Sequence, residues 1–206
     1  MPLTIVQSGE PVLRKPARPL RPNEIRSREI RELVQQMKET MYAAPGVGLA
    51  APQIGQGIQL AVIEDRPEYT KDWMPEQLAE RDRKPVPFHV IINPRIKLIG
   101  EERLEYLEGC LSLANLMALT PRARRVRVEC VDENGEPKII EASGWYARIL
   151  QHEIDHLAGT MYVDHMYSRT LMTVENFTRH WKDKSLAEMK KALLGPDSGQ
   201  ETRQIN

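Results

Sequence analysis

The sequence predicts an α+β fold, with mainly antiparallel sheets packed around a central helix that carries His152-Glu153-Ile154-Asp155-His156. Three observations lead there. Apolar residues recur at helical spacing in two separate stretches, near residues 27–42 and 143–158. Between them, glycines and prolines cut the chain into short strand-like runs, one of which alternates strictly. A helix, then strands, then a helix is the order of an α+β chain and not of repeated βαβ units. At 206 residues, 41% of them hydrophobic, the chain is long enough for a single domain (1–206) with its own core. Aromatic residues make up only 5%, so that core must be mostly aliphatic.

Taken in order, residues 1–22 hold Pro2, Pro11, Pro16, Pro19 and Pro22 and read as an extended surface arm without a regular element. Ile30, Leu33, Val34, Met37 and Met41 predict a helix over 27–42, capped by Ser27 and ended by Ala44-Pro45-Gly46. Residues 46–57 read as a glycine-rich loop, followed by a strand over 59–64. The charged stretch 65–87, with Pro67, Pro75, Pro85 and Pro87, reads as a surface insertion with a helical turn near 75–81. Strands are expected at 89–93, stopped by Asn93-Pro94, then at 95–100, 102–107 and 116–120. In 124–132, Val126, Val128 and Cys130 alternate with Arg125, Arg127 and Glu129, the mark of a half-buried strand. Asp132-Glu133-Asn134-Gly135 turns it into a return strand over 138–142. Ser143 is expected to cap the motif helix, whose apolar face is Trp145, Ile149, Leu150, Ile154 and Leu157, and Gly159 to end it. A short apolar piece and a C-terminal segment follow. Ser185-Leu186-Ala187-Glu188 opens a last short helix, and 196–206 is expected to be a flexible tail.

Composition excludes several classes. With 29 basic and 29 acidic residues the formal charge is zero, so no global field draws the chain to nucleic acid or an anionic membrane. No sequence-specific nucleic-acid binding is expected. No apolar run approaches the ~20 residues of a membrane span. The start, Met1-Pro2-Leu3-Thr4, lacks the plan of a signal peptide. Two cysteines, Cys110 and Cys130, make no disulfide framework and fit a reducing compartment. A bacterial cytoplasm is the expectation, a processed organellar protein the alternative. Residues 177–194 mix basic and apolar side chains and suit either a solvated surface helix or a contact with the ribosome.

One turn apart on a helix, His152 and His156 point from the same face, with Glu153 beside them to handle a proton. Two histidines need at least one more protein ligand and an open position for water. Cys110, in Glu108-Gly109-Cys110-Leu111-Ser112 at a strand end, stands out. Glu175, downstream of His156, is the alternative and would make a gluzincin-like zinc protease. Cys130 reads as a small core residue, and His89 and His165 as structural or surface residues. Attack on a carbonyl also needs oxyanion donors, which Gln53 of the glycine-rich loop and the Leu111 N–H could supply.

Together, Gly46-Val47-Gly48-Leu49-Ala50-Ala51-Pro52-Gln53, Glu108-Gly109-Cys110-Leu111-Ser112 and Gln151-His152-Glu153-Ile154-Asp155-His156-Leu157-Ala158-Gly159 resemble the three signature motifs of peptide deformylase, in order and spacing. The resemblance runs from about residue 5 to 170. The stretch 142–150, with Gly144-Trp145-Tyr146-Ala147-Arg148, further resembles the subgroup that includes mitochondrial and plant organellar enzymes. The resemblance implies removal of the formyl group from N-formylmethionyl nascent peptides. It implies Cys110, His152 and His156 as ligands of one divalent metal, natively ferrous iron, with zinc, nickel or cobalt able to take the site. Metal-bound water would be the nucleophile, Glu153 the general acid/base, and Gln53 with the Leu111 N–H the oxyanion donors. Val47, Tyr106, Trp145, Arg148 and Ile149 would form the methionine pocket. Gly48, Glu108 and Gly109 would complete the substrate-binding residues, the two glycines pairing their backbone with the peptide as an added strand. The resemblance implies a monomer or a homodimer, since relatives in that subgroup can be dimers. The chain departs from many bacterial members at Met117, where an arginine contacts the peptide, and at Asn115, where glycine is common. A non-catalytic module of the same fold, docking on the ribosome or a partner, is the rival reading.

Overall fold

The structure, a computed structural model, describes residues 2–195, and the tail expected at 196–206 lies outside the described residues. The chain runs through α1 (Pro22–Ile25), α2 (Arg28–Ala43), β1 (Gly48–Ala50), β2 (Leu60–Asp65), α3 (Pro75–Glu80), β3 (Val86–Cys110), β4 (Leu113–Val131) and β5 (Pro137–Ser143). It continues through α4 (Gly144–Ala158), β6 (Met172–Thr173), α5 (Val174–His180) and α6 (Leu186–Leu194). The sheet order is β1-β2-β3-β4-β5, with β6 added to β4, and every pairing is antiparallel. This is an α+β architecture. Among the described residues no helix is long and apolar enough to cross a membrane.

The side-chain period of two explains the core. On β2, Ala61 and Ile63 face α4, while Leu60 and Val62 face α2. On β3, Ile91 joins the α4 side and Val90 and Ile92 the α2 side. The central strands are covered on both faces, which is why they read as unbroken apolar runs. From the helices come Ala147 and Leu150 on one side, and Met37 and Met41 on the other. Cys130 is buried in the α4-side cluster.

Several expected boundaries differ. The runs at 89–93, 95–100 and 102–107 are one strand, β3, and those at 116–120 and 124–132 are one strand, β4. The expected breakers act as bulges. Asn93 turns left-handed (φ 51°) where the β3–β4 register shifts between Ile92 and Arg95, and Gly100 (φ 74°) lies in the shift between Ile99 and Arg103. The proline-rich arm is not wholly irregular: a 3₁₀ turn spans Pro11–Arg14 and α1 starts on Pro22, where a missing N–H costs nothing. The loop 46–57 contains β1 and a 3₁₀ turn, Ala51–Ile54. Ser143 holds the N-cap position, yet its hydroxyl donates to Asp82 at 2.5 Å and caps nothing.

The N-terminal arm braces the loops that carry two of the motifs. Val6 N–H donates to the Gln53 carbonyl at 2.9 Å, and Ser8 N–H to the Ser112 carbonyl at 2.8 Å. Gln7 Nε2 donates to the Leu111 carbonyl at 3.0 Å.

Candidate functional site

Helix α4 is tied to the sheet before any chemistry is considered. Gln151 is buried, and its amide closes two 2.9 Å bonds with the Ala123 backbone, accepting from N–H and donating to C=O. This fixes the helix against β4 with His152, Glu153 and His156 aimed at the turn between β3 and β4. Cys110 ends β3 at that turn. Its Sγ lies 3.3 Å from His156 Nε2, and one ligand atom each from Cys110, His152 and His156 lie within 4.8 Å of one another. Among the described residues this is the one such group of metal-ligating side chains. A thiolate and two imidazoles suit a divalent iron or zinc ion with one position left for water. Glu175 lies elsewhere on α5, 76% exposed and paired with Arg179 at 2.8 Å.

Behind the ligands sits a charged cluster that sequence reasoning placed only in part. Glu108 is buried and its oxygens accept from Arg122 at 3.0 and 2.9 Å, from Arg148 at 2.6 Å and from His152 Nδ1 at 3.1 Å. Burial alone would raise its pKa, but the bonds from His152 and Arg122 hold it far below the usual carboxylate range. An ionised Glu108 fixes the proton of His152 on Nδ1 and leaves Nε2 for a cation. Burial works against a charged His152, yet Cys110 and Glu108 hold its pKa well above the ordinary imidazole value, so an entering cation displaces a proton. His156 is kept neutral by burial and by the neighbouring His152. Arg122 also pairs with Asp155, which pairs with His165 at 3.3 Å. No local spacing in the sequence marks Arg122.

Glu153 has the opposite surroundings. It is buried without a cation bonded to it, its Oε2 has no partner, and burial pushes its pKa up to about 7. A carboxyl poised there can both take and give a proton near neutrality. Gly48 of β1 makes room for it: a Cβ on Gly48 would run into the Glu153 carboxylate. Gln53 is buried, with Oε1 accepting from Ala50 N–H at 2.8 Å. That bond turns Nε2 toward the site, 3.5 Å from Cys110 Sγ and 3.4 Å from Ser112 Oγ.

A cavity of about 340 Å³ opens on these groups. Val47, Gly48, Gly109, Leu111, Trp145 and Ile149 line it, with Gln53, Cys110, His152 and Glu153 at its polar end. Glu108 and Arg148 border it, but their charges neutralise each other, and Arg148 also donates to the Leu104 and Thr120 carbonyls. Tyr106, expected in the methionine pocket, lines a neighbouring groove behind Trp145 and gives its hydroxyl to the Glu80 carbonyl at 2.7 Å. Leu113, Leu116 and Val174 line the cavity and were missed. Val174 lies in a stretch read only as part of a C-terminal segment. Asn115 adopts the left-handed conformation (φ 62°) near the start of β4, where the β3–β4 register shifts and glycine would also fit, and Met117 lies opposite Gly109. His89 is structural: its Nδ1–H donates to the Pro87 carbonyl and its Nε2 accepts from the Tyr146 hydroxyl, each at 2.9 Å.

Residues 2–171 match the family model described as polypeptide deformylase. The chain is 45% identical over 172 residues to peptide deformylase 1A, chloroplastic, of Solanum lycopersicum, which covers 84% of this chain and 62% of the tomato protein. It is 42% identical over 195 residues to peptide deformylase 3 of Streptomyces avermitilis, covering 94% of this chain and 84% of that protein. Its fold is similar to that of a class I type b peptide deformylase from Acinetobacter baumannii, solved with Met-Ala-Ser bound, at a TM-score of 0.72. That pair is 30% identical, over 81% of this chain and 99% of the other.

Proposed function

The chain belongs to the polypeptide deformylase family, and from that premise we propose that it hydrolyses the formyl amide of N-formylmethionyl peptides, releasing formate and a free amine. The observation that carries the reading is one cluster: Cys110, His152 and His156 with their donor atoms within 4.8 Å, and a buried Glu153 carboxyl beside them. Those three residues would hold a divalent metal ion. When bound, it supplies Lewis acidity and lowers the pKa of water.

The rest is done by the chain. The cavity beside Val47, Trp145 and Ile149 takes the methionine side chain, and the Gly48 and Gly109 backbones hold the peptide as an added strand. This brings the formyl carbon to the polar end. Glu153 takes a proton from the attacking water and returns it to the leaving amine, a service worth about 10²–10⁴ in rate. Gln53 Nε2 and the Leu111 N–H donate to the oxyanion, each worth about 10²–10³. Glu108 holds the His152 ring in the tautomer that binds a cation.

The test is formate release from formyl-Met-Ala-Ser by anaerobically purified, metal-quantified protein. Release that stops on chelation and returns with ferrous iron is expected. A metal-loaded protein that releases no formate would turn the reading into that of a binding module.

A further inference from the structure

The insertion between β2 and β3 interleaves with the wall of the cavity. The Arg83 guanidinium lies 4.9 Å from the ring centroids of both Trp73 and Trp145. The Arg81 guanidinium lies 5.3 Å from the Trp73 ring and 5.0 Å from the Tyr106 ring. Tyr106 and Trp145 close the circuit at 6.4 Å, tilted by 58°. Cations and rings therefore alternate from Trp145 through Arg83, Trp73 and Arg81 to Tyr106, each guanidinium held between two ring faces.

The circuit is anchored at its rim. Asp65, at the end of β2, grips Arg83 through two 2.8 Å bonds, both side chains being buried. The Arg81 carbonyl accepts from Trp145 N–H at 2.9 Å. At Gly144 (φ 58°) a Cβ would meet the Arg81 carbonyl oxygen at 2.6 Å, so the insertion and the first turn of α4 need glycine to meet this closely.

Trp145 borders two spaces: the catalytic cavity, and a groove of about 830 Å³ that Trp73, Tyr106 and Trp181 also line. Its indole N–H is buried with no hydrogen-bond partner. Ring and guanidinium contacts, not a polar bond of its own, therefore set its orientation. We propose that Trp73 is a positioning residue for the substrate's first side chain: stacked against both guanidiniums, it locks Arg83 on Trp145 and so fixes the cavity wall that the side chain meets. This rests on the reading that Trp145 walls the methionine pocket. Trp73 touches neither the cavity nor the metal-ligand cluster, so its removal acts on binding before chemistry.

Three measurements on Trp73→Ala, Trp73→Phe and the unaltered protein test this. They are steady-state kinetics with formyl-Met-Ala-Ser, the same with formyl-Leu-Ala-Ser, and calorimetric binding of the product Met-Ala-Ser. Trp73→Ala is expected to raise KM for the methionine substrate about tenfold with kcat little changed. It should weaken product binding by a similar factor and narrow the Met-over-Leu preference, and Trp73→Phe should restore most of each. Where Trp73→Ala does not fold, Arg83→Lys keeps a cation at the rings but loses the paired grip on Asp65, and the same changes are expected in smaller measure. Unchanged KM, preference and product Kd, or a loss confined to kcat, would overturn the proposal. If the unaltered protein binds Met-Ala-Ser but releases no formate, the deformylase reading fails, and the product Kd alone decides the role of Trp73.

Discussion

Glu108 and Glu153 are the same residue type, both buried beside His152, and they are set to opposite tasks by what surrounds them. Bonds from His152 and Arg122 keep the first ionised against its burial, while desolvation holds the second's pKa near 7. The His152–Glu153–His156 part of the site was legible because one helical turn fixes its geometry. Cys110 was legible from its own residues only as a candidate and as a partner of the two histidines only through the resemblance, since its approach to His156 depends on the β3–β4 turn. The pairing of Arg148 with Glu108 was invisible, because forty residues of folded chain bring them together. Two outcomes follow at this scale. Gly48→Ala should cut formate release about 100-fold while moving the thermal midpoint by only a few degrees, because the three nearest atoms that the added methyl meets all belong to the Glu153 side chain. Cys110→Ala should lose its metal by elemental analysis, whereas Glu175→Ala, exposed on α5, should keep it. The reverse result would favour the protease reading.

At the scale of elements, α4 is held by side chains as much as by its apolar face. Gln151→Leu leaves the buried Ala123 N–H and C=O without partners, and chemical denaturation should record a loss of about 2–4 kcal/mol. Strand existence was readable from alternation, but strand length was not. Asn93-Pro94 and Gly100 look like terminators in a sequence, yet in β3 they bend a strand that goes on pairing. The pieces β6 and α5 carry too little apolar periodicity to announce themselves, which is why Val174 was missing from the expected cavity.

Across the whole molecule, two apolar layers flank one sheet, and the half-buried His89 on β3 contributes to the pH response of the fold. Burial pushes the His89 imidazole below its ordinary value, and its Nε2 is occupied by the Tyr146 hydroxyl. The unfolded chain therefore binds a proton more readily there. This contribution to stability is complete above about pH 6.5 and is lost as pH falls toward the folded-state value. The drop in thermal midpoint between pH 7 and pH 5.5 should be smaller in His89→Gln than in the unaltered protein. An equal drop in both would remove His89 as the cause. The stretch 59–64 was legible only as a strand; that its unbroken run Leu60-Ala61-Val62-Ile63 is covered on both faces, and by which elements, depends on the folded packing.

The central claim is that Glu153 carries the proton beside a Cys110–His152–His156 metal site. Metal content and formate release, measured on one preparation of Glu153→Ala, test it most directly. About one equivalent of metal retained, with turnover of formyl-Met-Ala-Ser reduced by about 10²–10⁴, is the expected result. Near-normal turnover with the metal in place would contradict it.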